Sequence, residues 1–123
     1  MLLNSLYTIV ECYSSANDLV HYSLSIDPQN DIYKGHFPGF PVTPGVVEIE
    51  IVKELVEHHL GQKIALSKIS NCKFINILNP EESSYYEVKI EFILKEPSIK
   101  VLVDIFDATK KYLNLKAEFT LLS

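Results

Sequence analysis

The chain has 123 residues, 47% of them hydrophobic and 22% charged, enough for one folded core and too apolar for a disordered chain. Eleven lysines, no arginine and 16 acids give a net charge of −5, which excludes the basic, phosphate-binding face of a nucleic-acid protein. No apolar run reaches the roughly 18–20 residues that a membrane span needs.

Residues 1–10 are apolar, but they lack a cationic start and Glu11 follows at once, so they do not read as a signal peptide. Residues 6–13 read as a strand with poor patterning. In 19–26, Val20, Tyr22, Leu24 and Ile26 share one face, and His21, Ser23 and Ser25 share the other. That period of two predicts a half-buried strand. Residues 27–45 contain four of the six prolines and three of the four glycines, which predicts a long structured loop. From Val46 to Leu60 there is neither Gly nor Pro, and the apolar spacing becomes helical. The expected helix covers about 45–60, with Gly61 as its stop.

A looser strand is expected at 66–78. Residues 86–94 alternate cleanly, Pro97 ends that run, and 99–106 are apolar enough for a central strand. The turn at 107–111 leads to a last alternating strand at 112–121. Short connections make these last strands antiparallel neighbours. The expectation is an α+β fold, with about six strands and one long helix in a single domain over 1–123. Cys12 and Cys72 lack metal-ligand spacing and are expected as small core or edge residues. They fit a reduced cytoplasmic chain or a single disulfide.

On a helical wheel, Ile49, Val52, Leu55, Val56 and His59 form a broad stripe, with Glu50, Lys53, Glu54, Glu57 and His58 opposite. Glu48 falls near the middle of the apolar stripe. So wide a stripe needs a large sheet to cover it. Glu54 and His58 have chelating spacing, but no third ligand is visible and no metal is expected. His21 is expected in solvent. His36 stands apart, because the prolines and glycines of GHFPGFPVTPG fix the backbone around it. Pro44 and Gly45 lead directly into the helix, so N–H groups of its first turn are free to polarise an oxygen. A histidine, a carboxylate and such donors are the parts for removing a proton beside a carbonyl and protonating a leaving group. Both Glu48 and Glu50 are candidates for the carboxylate.

The stretch from Tyr33 to Glu50, with GHFPG, PG and an acid fourteen residues after the histidine, resembles the signature of FabZ-type 3-hydroxyacyl-[acyl-carrier-protein] dehydratases. Weaker similarity extends through Cys72-Lys73-Phe74, Asn79-Pro80-Glu81 and residues 115–119, covering about 18–121. The resemblance implies a hotdog fold, a curved antiparallel sheet wrapped around one central helix. It implies a homodimer, or an assembly of such dimers, whose sites combine His36 of one chain with Glu50 of the other. His36 would take the C2 proton and Glu50 would protonate the departing hydroxyl. The N–H of Gly45 or Val46 would polarise the thioester carbonyl, with Phe37 and Gly39 beside the substrate. No cofactor or metal is implied, and the partner is an acyl carrier protein, for which Lys34, Lys68 and Lys73 are candidate contacts.

Phe40, Lys53 and Glu54 depart from the family pattern and point to a divergent member serving a specialised acyl pathway. Glu54, standing where a Gln is usual, is expected to disturb the acid at position 50 by like-charge proximity. Two other readings compete: an acyl-thioester hydrolase and a non-catalytic hotdog subunit that binds acyl chains or the carrier.

Overall fold

The computed structural model describes residues 1–16, 18–34 and 41–122. Six strands and one long helix alternate as β1 (Tyr7–Ala16), β2 (Leu19–Ile26), α1 (Gly45–Leu60), β3 (Ile64–Phe74), β4 (Tyr85–Leu94), β5 (Ile99–Phe106) and β6 (Lys111–Leu121). A short 3₁₀ turn, Asp31–Tyr33, precedes the loop to α1. The named strands all pair antiparallel, in the spatial order β1-β2-β4-β5-β6-β3. The curved sheet wraps α1 in the hotdog arrangement. The α+β expectation and the helix limits agree with this, while β3 starts earlier than expected and ends at Phe74.

Alternation in the sequence builds the inner face. Val20, Tyr22, Leu24 and Ile26 of β2 meet Tyr86, Val88 and Ile90 of β4 in register, Tyr22 opposite Val88. Ile99, Val101, Val103 and Ile105 of β5 and Leu113, Leu115, Ala117 and Phe119 of β6 continue the same layer. Ile51, Val52, Leu55 and Val56 of α1 press into it, and the whole forms one buried cluster. Roughly 1.5–3 kcal/mol per large apolar side chain makes this burial the main stabilising term.

The helix face differs from the wheel in two places. Ile51 is buried, and Glu54, expected opposite the apolar stripe, is buried as well. The N-terminal segment folds across this part of α1. Glu54 accepts hydrogen bonds from the Leu2 N–H at 2.8 Å, the Leu3 N–H at 2.9 Å and the Tyr7 hydroxyl at 3.0 Å. A carboxylate with three donors can be buried where an unpaired one could not.

The cysteines are free and lie on the two edge strands, Cys12 exposed on β1 and Cys72 half-buried on β3. His21 is half-buried, stacked on Tyr13 and bonded to the Ser15 hydroxyl, where a solvated side chain was expected. No helix among the described residues is long and apolar enough to cross a membrane.

Candidate active site at the start of the central helix

The approach to α1 is pinned from both sides. Thr43 donates its N–H to the Leu78 carbonyl at 3.0 Å, and its hydroxyl lies 2.8 Å from that of buried Tyr33. Leu78 belongs to the turn that continues into Asn79-Pro80-Glu81. Asn79 Oδ1 accepts from the Glu81 N–H, and the Asn79 carbonyl accepts from the Tyr86 hydroxyl. Thr43 thus ties the residues just before the helix to Tyr33 and to the Leu78 turn, which fixes where the helix begins.

Pro44 is the N-cap and supplies no side-chain bond. Its carbonyl accepts from the N–H groups of Val47 and Glu48. Gly45 and Val46 come earlier in the first turn, where helix geometry provides no intrahelical acceptor, so their N–H groups point out of the helix end. These are donors able to polarise a carbonyl, reinforced by the helix dipole. Gly45 is also a matter of space: a Cβ there would lie 2.5 Å from Cζ of Phe74, whose ring crosses the helix start from β3. Val46 is 74% exposed.

The two acids of this end have opposite environments. Glu50 is half-exposed, with its carboxylate 3.7 Å from Lys53 Nζ. It lines an open depression of ≈ 250 Å³ shared with Lys53, Glu57, Lys63 and Met1. Glu48 is 3% exposed, and its Oε1 has no hydrogen-bond partner among the described residues. Burial pushes its pKa up to about 8, so at neutral pH it is mostly the uncharged acid. Burial first, and the Glu48 carboxyl second, also push the Cys72 thiol up. Tyr33 is raised mainly by burial, against its bond to Thr43, with Glu48 adding to the rise.

Of the site residues expected from sequence, Gly45, Val46 and Glu50 lie together on the first two turns of α1. His36, Phe37 and Gly39 lie outside the described residues, as does Phe40. Glu54 lines the same depression as Glu50, and its oxygens accept from the N-terminal segment. Glu48 was visible in sequence as the acid inside the apolar stripe, but its lack of a partner was not.

Among the described residues no cluster of three or more His, Cys, Asp or Glu side chains could hold a metal ion. His58 Nδ1 lies 2.8 Å from the Tyr22 hydroxyl, and His59 stacks on Phe92. Lys68 and Lys73 are exposed on β3, and exposed Lys34 pairs with Asp31 at 3.1 Å.

The curved six-stranded sheet wrapped around one central helix defines a hotdog protein. The model of the ApeI-like family, described as ApeI dehydratase, matches residues 12–113, and the chain belongs to this family. It is 31% identical over 72 residues to the 3-hydroxyacyl-[acyl-carrier-protein] dehydratase FabZ of Fusobacterium nucleatum, covering 54% of this chain and 51% of that one. It is 32% identical over 93 residues to the FabZ of Rickettsia africae, covering 59% and 64%. The chain spans about half the length of the first of these curated relatives. Among solved structures, the dehydratase heterocomplex ApeI:P of Xenorhabdus doucetiae superposes with a TM-score of 0.72 at 24% identity, over 91% of this chain and 96% of that one. A dehydratase domain from the CurJ module of curacin polyketide synthase superposes at 0.61 with 14% identity, over 94% and 42%.

Proposed function

We propose that this chain dehydrates a 3-hydroxyacyl thioester, carried on an acyl carrier protein, to the trans-2-enoyl thioester. The observation that carries the reading is the start of α1, where free first-turn N–H groups and an accessible carboxylate follow a segment held at Thr43. The thioester carbonyl would accept from the N–H of Gly45 or Val46, which stabilises negative charge as the C2 proton leaves. His36 takes that proton, and Glu50 gives one to the C3 hydroxyl, which departs as water. Phe37 and Gly39 flank the substrate. Atoms balance without a redox partner: one C–H and one C–O bond break, and one C=C bond forms.

The unit would be a homodimer. Among the described residues β3 pairs only with β6, which leaves its other edge open. Along and beyond it Leu66, Ile69, Phe74, Ile75 and Ile77 are exposed, as is Val46 on α1, an apolar band suited to a second copy. Glu50, half-exposed in one chain, would be enclosed there. Lys34, Lys68 and Lys73 are then the cations available to an acidic carrier protein. A single domain over 1–123, working in the cytoplasm on a specialised acyl pathway, completes the reading.

A second reading, a non-catalytic partner of an active dehydratase, is favoured by the ApeI:P structure being a heterocomplex. Retention of both His36 and Glu50 favours catalysis. The deciding experiment follows the acyl mass of a 3-hydroxyacyl carrier protein. Dehydration appears as loss of one water, absent in His36→Ala and Glu50→Gln. Release of free acid would replace the reading with a hydrolase. No turnover, with retained binding of the acylated carrier, would replace it with the partner subunit.

A further inference from the structure

Glu48 is the one buried carboxyl whose oxygen lacks a partner among the described residues, and the reaction outlined above makes no use of it. Buried polar groups are almost always hydrogen-bonded, and an exception calls for a cause. Its place on the helix suggests one. Residues three apart share a helix face, so Glu48 lies one turn beyond Gly45 on the same stripe, about 4.5 Å along the axis. On β3, Cys72 and Phe74 are two apart and share a strand face. Phe74 covers Gly45, and Cys72 is close enough to Glu48 to feel its charge. The carboxyl is therefore held between the first turns of α1 and the end of β3, one turn inward from the donors that face a thioester. Three or four bonds separate a thioester carbon from an acyl carbon that far along an extended chain.

We propose that Glu48 is a substrate-binding residue whose buried carboxyl hydrogen-bonds a hydroxyl on the acyl chain, so that the site prefers hydroxylated over saturated acyl groups. This rests on the acyl-thioester reading of the site. As the neutral acid, Glu48 offers one donor and one acceptor, the complement of a hydroxyl, which also has both. A saturated chain leaves Oε1 unpaired and loses affinity for that reason. Among the described residues, Tyr33 and Cys72 are the titratable groups that feel Glu48 from the neighbouring elements, and neither brings a charge at neutral pH. Tyr33 is already bonded to Thr43.

The test is calorimetric binding of pantetheine amides, whose weakly acidic C2 protons resist dehydration whatever the catalytic residues. Three six-carbon chains are compared: 3-hydroxy, 5-hydroxy and saturated. The full chain is expected to bind one hydroxylated amide at least about tenfold more tightly than the saturated one. Preference for the 3-hydroxy amide places Glu48 at the reacting oxygen, and preference for the 5-hydroxy amide places it further along the chain. Glu48→Leu should abolish the preference and raise the melting temperature, because it removes an unpaired buried polar group. Glu48→Gln, which keeps a donor and an acceptor, should retain most of the preference.

Equal binding of all three amides by the full chain would overturn the proposal, as would a preference unchanged in Glu48→Leu. A clear fall in the melting temperature of Glu48→Leu would overturn it too, by revealing a partner for the carboxyl within the protein. Because no turnover is measured, failure of the dehydratase reading and failure of this one give different results.

Discussion

At its C-terminal end α1 is closed by its own chain. Gly61 takes a φ of 68° and donates its N–H to the Glu57 carbonyl at 2.8 Å, while the Glu57 carboxylate accepts from the Ile64 N–H at 2.9 Å. His58 meets the Tyr22 hydroxyl, and one turn back Glu54 takes three donors from the N-terminal segment. At the N-terminal end Pro44 gives no side-chain cap, first-turn N–H groups look outward, and the buried carboxyl of Glu48 keeps an unpaired oxygen. One helix thus carries acids in three conditions: satisfied at Glu54, orphaned at Glu48 and accessible at Glu50. Local rules are obeyed where the helix serves only the fold and broken where it faces the candidate site, as expected when function and stability compete.

The largest effects should come from the open end. Glu50→Gln and His36→Ala should each lower turnover about 10²–10⁴-fold with little change in melting temperature. The reverse pattern, lost stability with retained turnover, would move Glu50 to the structural side.

Glu48 gives the comparison a pH signature. Its folded pKa of about 8 lies above the ordinary 4.5, so the folded state holds a proton that the unfolded chain releases. Its contribution to stability is full below 4.5 and is lost as pH rises through 8, on the order of a few kcal/mol. Denaturant midpoints taken across that window should fall, and Glu48→Gln should flatten the decline. Asp107 works in the opposite sense. Burial raises it, but hydrogen bonds from Tyr112, Thr109 and Lys110 outweigh this and hold it at about 2. Its contribution is present above its ordinary 3.8 and is lost as pH falls through 2. A decline confined to acid pH would leave Asp107 as the controlling group and contradict the burial of Glu48.

At the closed end, Glu54→Ala should cost about 2–3 kcal/mol by orphaning the donors of Leu2, Leu3 and Tyr7, read as a lower urea midpoint. Glu54→Gln should cost about half as much, since one oxygen still accepts. Gly61→Ala should cost only about 1 kcal/mol, because open space surrounds the position and the left-handed φ is the sole penalty.

The strands β2, β4, β5 and β6 and the limits of α1 were legible because period two and period 3.6 are local signals. The strand order was not, since β2–β4 and β3–β6 join segments distant in the chain. The burial of Glu54 escaped the wheel for the same reason: the chain covering it begins 51–52 residues earlier. At the site, the stretch from Tyr33 to Glu50 carries the resemblance on which the proposed roles of His36, Gly45 and Glu50 rest. The environment of Glu48 needed the packing of β3 against the helix start, which no periodicity encodes.

The most direct measurement mixes His36→Ala chains with Glu50→Gln chains, lets them exchange, and follows loss of water from a 3-hydroxyacyl carrier protein. If each site takes its histidine from one copy and its acid from the other, the inactive parents should regain about a quarter of wild-type activity, as a two-fold dimer allows. Activity no higher than that of either parent would contradict a dehydratase site built across the open edge.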